Sequence, residues 1–228
     1  MRSIHDNLQA VRGRIERAAA DAGRAPGAVR LLAVSKTHPP ALIAEARRAG
    51  QRAFGENYVQ EALEKMDALA GQGIEWHLIG PLQSNKTRLA AERFDWVQTV
   101  DRERIARRLS EQRPAQLAPL NVLVQVNVSG ELSRNGIAPK GVRTLMQVVK
   151  SLPRLRLRGL MAVPEPGAGR SRFEEARALF DELQAEFEFD TLSMGMSDDM
   201  ELAIAAGATL VRVGTAIFGA RQSAEAAA

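Results

Sequence analysis

The 228 residues carry 31 basic and 27 acidic side chains, three histidines and no cysteine, for a net charge of +4. That composition excludes disulfides, thiolate nucleophiles and cysteine metal sites, and His5, His38 and His77 are too scattered to form a metal motif. A 45% hydrophobic fraction without a membrane-length apolar run describes one soluble domain, and basic residues spread along helices with few aromatics argue against a nucleic-acid surface. Attraction for phosphorylated small molecules fits the same mild charge. The first residues lack the apolar core and cleavage site of a secretory signal, so a cytoplasmic location is expected.

In chain order, Ile4, Leu8, Val11 and Ile15 share one helical face with Gly23 near its end, predicting a helix laid over the outside or bottom of the fold. Eight strand-like runs follow, at 29–36, 52–56, 75–80, 96–100, 121–128, 155–163, 191–197 and 210–214. Several are apolar without strict alternation, as strands buried on both faces are. Helical patterns separate them. Pro39 and Pro40 suit a first turn and Gly50 a carboxyl cap around Leu42, Ile43, Ala46 and Ala49. Ser171 with Glu174 three residues on reads as a capping box, ahead of a core face of Phe173, Ala176, Phe180, Leu183 and Phe187. Eight such units predict an α/β fold, a single (β/α)8 TIM barrel over 1–228 with an extra N-terminal helix and a frayed tail at 223–228. A doubly wound open sheet has the same count, but no dinucleotide fingerprint or phosphate-binding loop follows any strand, which favours the barrel.

A barrel's chemistry sits at the carboxyl ends of its strands, with phosphate often held after the last two. Lys36 ends the first run, where reduced solvation favours a neutral, nucleophilic amine of the Schiff-base kind; a solvated lysine, or one neutralising a nearby carboxylate, fits that position too. Ser197 after strand seven, able to open the next helix, and Gly214 with Thr215 after strand eight together form a phosphate cradle, although each turn alone also reads as helix capping. Arg212, inside an apolar strand, needs a partner if it points inward and is otherwise solvated. Asn57 and Asn127 lie at the correct end, with plain turn or strand-end roles as the alternative. His77 reads as a hydrogen-bonded core histidine and Lys86 as a solvated helix start near a phosphate. The polar segment 129–136 has the composition of a lid.

Ala33-Val34-Ser35-Lys36-Thr37, Phe54-Gly55-Glu56-Asn57-Tyr58, the run from His77 through Gly80 and Gln83 to Lys86, Arg158-Gly159-Leu160-Met161, Ser193 through Ser197, and Arg212 through Gly219 resemble, taken together, the pyridoxal phosphate homeostasis protein family. These motifs run from the first strand to the last. The resemblance implies a monomeric or weakly associating barrel related to the amino-terminal domain of alanine racemase, holding pyridoxal 5′-phosphate as an aldimine on Lys36. It also implies that Arg212 faces the pyridine nitrogen, that Ser197, Gly214 and Thr215 hold the phosphate, and that Asn57 lies beside the ring. His38 stands where some members have a second lysine and Arg134 where some have a loop lysine, both positions bearing on cofactor exchange.

An arginine against the ring nitrogen disfavours its protonation and weakens the ring as an electron sink. The related racemase takes a second acid/base from a tyrosine of another domain and subunit, and this sequence has only Tyr58. The expected role is therefore a reversible carrier in vitamin B6 homeostasis with no catalytic residues, its partners the cofactor and the apoenzymes that use it. An active racemase or lyase, a class I aldolase-like barrel and a pure interaction protein are the competing readings.

Overall fold

The computed structural model describes residues 3–131, 134–165 and 167–220; the expected frayed tail at 223–228 lies outside them. Helix α1 (Ile4–Asp21) opens on a capping box, in which Ser3 accepts from the Asp6 amide and Asp6 accepts from the Ser3 amide. Eight strands follow: β1 (Arg30–Val34), β2 (Ala53–Glu56), β3 (Glu75–Leu78), β4 (Trp96–Val100), β5 (Leu120–Val126), β6 (Leu155–Ala162), β7 (Thr191–Ser193) and β8 (Leu210–Val213). The helices between them are α2 (Pro40–Arg48), α3 (Val59–Ala68), α4 (Thr87–Arg93), α5 (Glu103–Gln112), α6 (Pro139–Ser151), α7 (Arg170–Phe187) and α8 (Met200–Ala205), and α9 (Thr215–Phe218) follows β8.

Every strand pairs in parallel with its neighbour in chain order, and β1 pairs with β8 through Leu32–Arg212 and Ala33–Val213. That closure decides for the (β/α)8 barrel and against an open sheet. Except for β4, whose bounds match its run, the strands are shorter than the apolar runs that announced them, and the last residues of several runs, among them Lys36, Ile79, Val163 and Ser197, line the barrel mouth instead.

Alternation sorts the side chains into two cores. Ala33, Trp76, Leu78, Leu192, Met194, Val211 and Val213 join the large cluster packed under the helices. Their neighbours Leu32, His77, Ser193 and Arg212 therefore face the barrel interior, where small apolar groups such as Leu32 with Leu210, and Trp96 with Leu123 and Met161, fill the space between polar residues. Helix α1 covers the outside, its buried Ile4, Leu8, Val11 and Ile15 packing beside α2, α8 and α9.

One local expectation fails. The capping box at Ser171 does not form, because α7 starts from Gly169 and Ser171 already lies in its first turn. Glu174 bonds the Arg170 guanidinium at 2.7 Å instead, a charged partner at i−4 displacing an amide at i−3. Among the described residues, no helix is long and apolar enough to cross a membrane.

Candidate functional site

Lys36 lies two residues past the end of β1, half-buried. The residue before it is locked: Ser35 donates to Glu56 at 2.5 Å, and the buried Lys65 ammonium donates to the Ser35 carbonyl at 2.8 Å and to Glu56 at 2.9 Å. Burial pushes the Glu56 carboxyl up, while Lys65 and Ser35 draw it back. The residue after it is strained. Thr37 has φ of 66°, rare for a β-branched residue, and its amide donates to Glu61 at 2.6 Å. Lys65 also donates to Glu61, at 2.6 Å, and so serves both Glu56 and Glu61.

A cavity of about 310 Å³ brings Lys36 together with Asn57, Ser197, Arg212, Gly214 and Thr215, with Val34, Ile79, Met161 and Val163 on its apolar wall. All six residues selected from the sequence thus line one concave space at the carboxyl end of the strands. A larger cleft, about 520 Å³, lies at the opposite end between α1 and the starts of β1 and β2. Its Arg12 and Arg24 already donate to backbone carbonyls, and it contains no amine, so size does not decide the site.

Arg212 points inward. Its guanidinium donates to Ser193 Oγ at 2.9 Å and to the Ala162 carbonyl at 3.1 Å, leaving further N–H groups toward the cavity. Burial lowers it to about 10, opposed by the negative charge of Asp199, so it stays cationic at neutral pH. Asn57 is brought in by a close backbone approach: a Cβ at Gly80 would stand 2.1 Å from the Asn57 carbonyl oxygen, so only glycine lets the β3 turn pass there.

The segments that bring Ser197 and Thr215 to the cavity are held from outside by α1, which sequence reasoning missed. Asn7 donates to the Ile217 carbonyl at 2.9 Å, and Arg14 donates to the Ser197 carbonyl at 3.2 Å while pairing with Glu201 at 2.7 Å. Asn7 and Arg14 are seven residues apart, two helical turns on one face, beside the buried stripe; that spacing was the available signal. Ser197 borders the cavity but does not begin the following helix. Helix α8 starts at Met200 with Asp199 in the capping position, and the Asp199 carboxylate accepts from the Met196 amide at 2.5 Å.

Other polar residues lie elsewhere. His77 is fully buried as a core histidine, 2.7 Å from Glu75 and 2.9 Å from Gln98. Asn127 organises its own loop, donating to the Glu131 carbonyl at 2.8 Å and accepting from the Gly130 amide at 3.1 Å. Lys86 ends a single 3-10 turn outside the cavity wall. His38 packs its ring on Phe218, with centroids 5.0 Å apart. Arg134 pairs with Glu131 and borders a side pocket that shares Asn57, Ile79 and Val163 with the main cavity. The expected lid at 129–136 includes residues 132 and 133, which lie outside the described residues. Among the described residues, no cluster of three or more histidine, aspartate or glutamate side chains could hold a metal ion.

The model of the family described as "Alanine racemase, N-terminal domain" matches residues 7–222. A pyridoxal phosphate homeostasis protein of Pseudomonas aeruginosa is 59% identical over 223 residues, covering 97% of each chain. Its counterpart in Escherichia coli K12 is 57% identical, covering 97% of this chain and 98% of its own. The structure of PipY from Synechococcus elongatus PCC7942, solved with PLP bound, superposes with a TM-score of 0.83 at 39% identity, covering 95% of this chain and 100% of that one. Identity above half along nearly the entire length, on a barrel of the alanine racemase N-terminal type, means that this chain belongs to the pyridoxal phosphate homeostasis protein family.

Proposed function

We propose that the chain binds pyridoxal 5′-phosphate reversibly through the Lys36 amine and takes part in intracellular vitamin B6 homeostasis. One observation carries the reading: a single cavity joins a half-buried amine, a buried guanidinium and two hydroxyl-bearing turns. Its volume suits a small ligand, and Gly214 keeps the wall thin where a Cβ would approach the Val34 carbonyl to 3.1 Å. The family names and the PLP-bound PipY structure support the same ligand.

When bound, the cofactor supplies an aldehyde that links reversibly to an amine and a ring able to accept electrons. Lys36 would bind it, Ser197, Gly214 and Thr215 would hold its phosphate, and Asn57 would stand at the wall beside its ring. Arg212, a cation at neutral pH, would be the residue to hold the ring nitrogen, and its charge would disfavour a proton there, since two cations would otherwise oppose each other. With that charge Arg212 would weaken the group as an electron sink, which favours a carrier over a racemase or lyase. Tyr58 is 60% exposed and outside the cavity wall, so among the described residues no tyrosine reaches the site as a second acid/base. We assign the carrier to the cytoplasm as a monomer, with cofactor-requiring apoenzymes as its recipients.

The test is the visible spectrum of the purified chain after pyridoxal 5′-phosphate addition, followed by borohydride reduction and peptide mapping. Label on Lys36 is expected, and label at any other residue overturns the site. Amino-acid racemisation at ordinary enzymatic rates would overturn the carrier role.

A further inference from the structure

A single file of hydrogen bonds crosses the barrel interior from Arg212 to the far end. Arg212 on β8 donates to Ser193 Oγ on β7 at 2.9 Å; Ser193 meets Gln98 Oε1 on β4 at 2.7 Å. Gln98 Nε2 meets His77 Nδ1 on β3 at 2.9 Å, and His77 Nε2 meets Glu75 Oε1 at 2.7 Å. Ser193, Gln98 and His77 are all buried, and Glu75 ends the file at a salt bridge of 2.7 Å with Arg30.

The directions of these bonds follow from the ends. An ionised carboxylate only accepts, so Glu75 requires the proton of a neutral His77 on Nε2 and leaves Nδ1 as an acceptor. Burial holds His77 below the ordinary imidazole range, which keeps it neutral. Nδ1 then takes a hydrogen from the Gln98 amide, fixing that amide with its oxygen toward Ser193. Ser193 gives its only proton to that oxygen and turns a lone pair to Arg212. Reversing the file would turn a bare Nε2 lone pair of His77 on the Glu75 carboxylate and deprive the Ser193 proton of its acceptor, so the file has one consistent sense.

We propose that His77 and Gln98 are positioning residues for Arg212: acting through Ser193, they hold its guanidinium where it meets the ring nitrogen of the bound cofactor. The proposal rests on the cofactor reading above. It gives a purpose to a buried polar file that an apolar barrel interior would not need, since fully satisfied networks fix one geometry where hydrophobic packing allows several.

Two measurements test it. In the cofactor-free chain, nitrogen NMR should find His77 in the Nε2-protonated tautomer at neutral pH. The Arg212 Nε–H resonance should shift in His77→Phe, which keeps a ring for stacking on Trp96, and return in His77→Gln, which can donate to Glu75 and accept from Gln98. In the loaded chain, His77→Phe, Gln98→Met and Ser193→Ala should move the cofactor's absorbance band in a common direction and raise its apparent dissociation constant by roughly 3- to 10-fold, the size of one lost hydrogen bond. His77→Gln should restore both.

An Nδ1-protonated His77, or an Arg212 resonance indifferent to His77→Phe, overturns the file. Unchanged spectra and affinities in folded variants that still take the borohydride label on Lys36 overturn the positioning role and leave the cofactor site standing. Absence of that label from the unsubstituted chain would instead remove the cofactor reading and the ring-facing role with it, while the NMR coupling stands or falls independently.

Discussion

The backbone at Gly80 lies against the backbone of Asn57, so close that an added Cβ would come within 2.1 Å of the Asn57 carbonyl oxygen and 2.7 Å of its Cα. Neither neighbour is a flexible side-chain tip, so the strands must shift to admit even a methyl group. Gly80→Ala should destabilise the chain by about 1–3 kcal/mol, the ordinary cost of overpacking, and displace Asn57 from the cavity. Urea denaturation and cofactor titration would check this; a variant with unchanged midpoint and affinity contradicts the close approach.

The outer helix reaches the Ser197 and Thr215 side of the cavity through two side chains. Asn7→Ala and Arg14→Ala remove bonds to the Ile217 and Ser197 carbonyls and should loosen the turns that carry Thr215 and Ser197. Each should weaken pyridoxal 5′-phosphate binding by a few-fold, about 1 kcal/mol or less, while leaving pyridoxal, which lacks the phosphate, unaffected. Equal losses for both ligands would show that α1 does not act on the phosphate cradle.

Beneath Lys36, the buried Glu56–Lys65 pair predicts a strong asymmetry between single and double substitution. Lys65→Met leaves the Glu56 carboxylate without its cation and should cost about 3–5 kcal/mol. Adding Glu56→Gln to Lys65→Met should recover much of that loss, because no buried charge is left. Denaturant unfolding of the two variants decides; additive losses would argue against coupling between them.

Acid should destabilise the fold in two stages. His77 is held below the ordinary imidazole value, first by burial and then by the positive charge of Arg30, against the opposing pull of Glu75 and Asp95. A folded value below the unfolded one means full stability above about pH 6.5, lost as pH falls through the folded value. Burial would raise Glu75, but the hydrogen bond and charge of His77 together with Arg30 hold it down at about 2. Its contribution is complete above an unfolded value of about 4.3 and is lost as pH falls from there toward about 2. Thermal melts across this range should decline in both windows, and His77→Phe should flatten the upper one; a melting temperature independent of pH from neutral to about pH 5 would contradict the buried neutral imidazole.

Apolar runs and proline–glycine punctuation made the strand–helix alternation readable, since each run had to be buried on both faces. Local capping was less legible. Ser171 and Glu174 had the spacing of a capping box, yet Arg170, one residue earlier, offered the glutamate a charged partner. Asn127 lay at the correct end of β5, but its side chain satisfies the amides and carbonyls of its own loop. Conversely, Gln98 gave a sign that went unread: a single glutamine in the buried strand Trp96–Val100 must find polar partners, and it finds His77 and Ser193.

The sequence by itself determined the alternating elements, the absence of thiol chemistry, and the residues worth watching at strand ends: Lys36, Asn57, Ser197, Arg212, Gly214 and Thr215. Only the tertiary structure decided that these six line one cavity, because Lys36 and Arg212 meet through the β1–β8 pairing that closes the barrel. It also decided that α1 clamps the segments carrying Ser197 and Thr215 and that Arg212 is tied across the interior to His77. Hydrophobic periodicity is written locally along a chain, whereas a hydrogen bond between residues far apart in sequence depends on closure and register, which no local pattern contains.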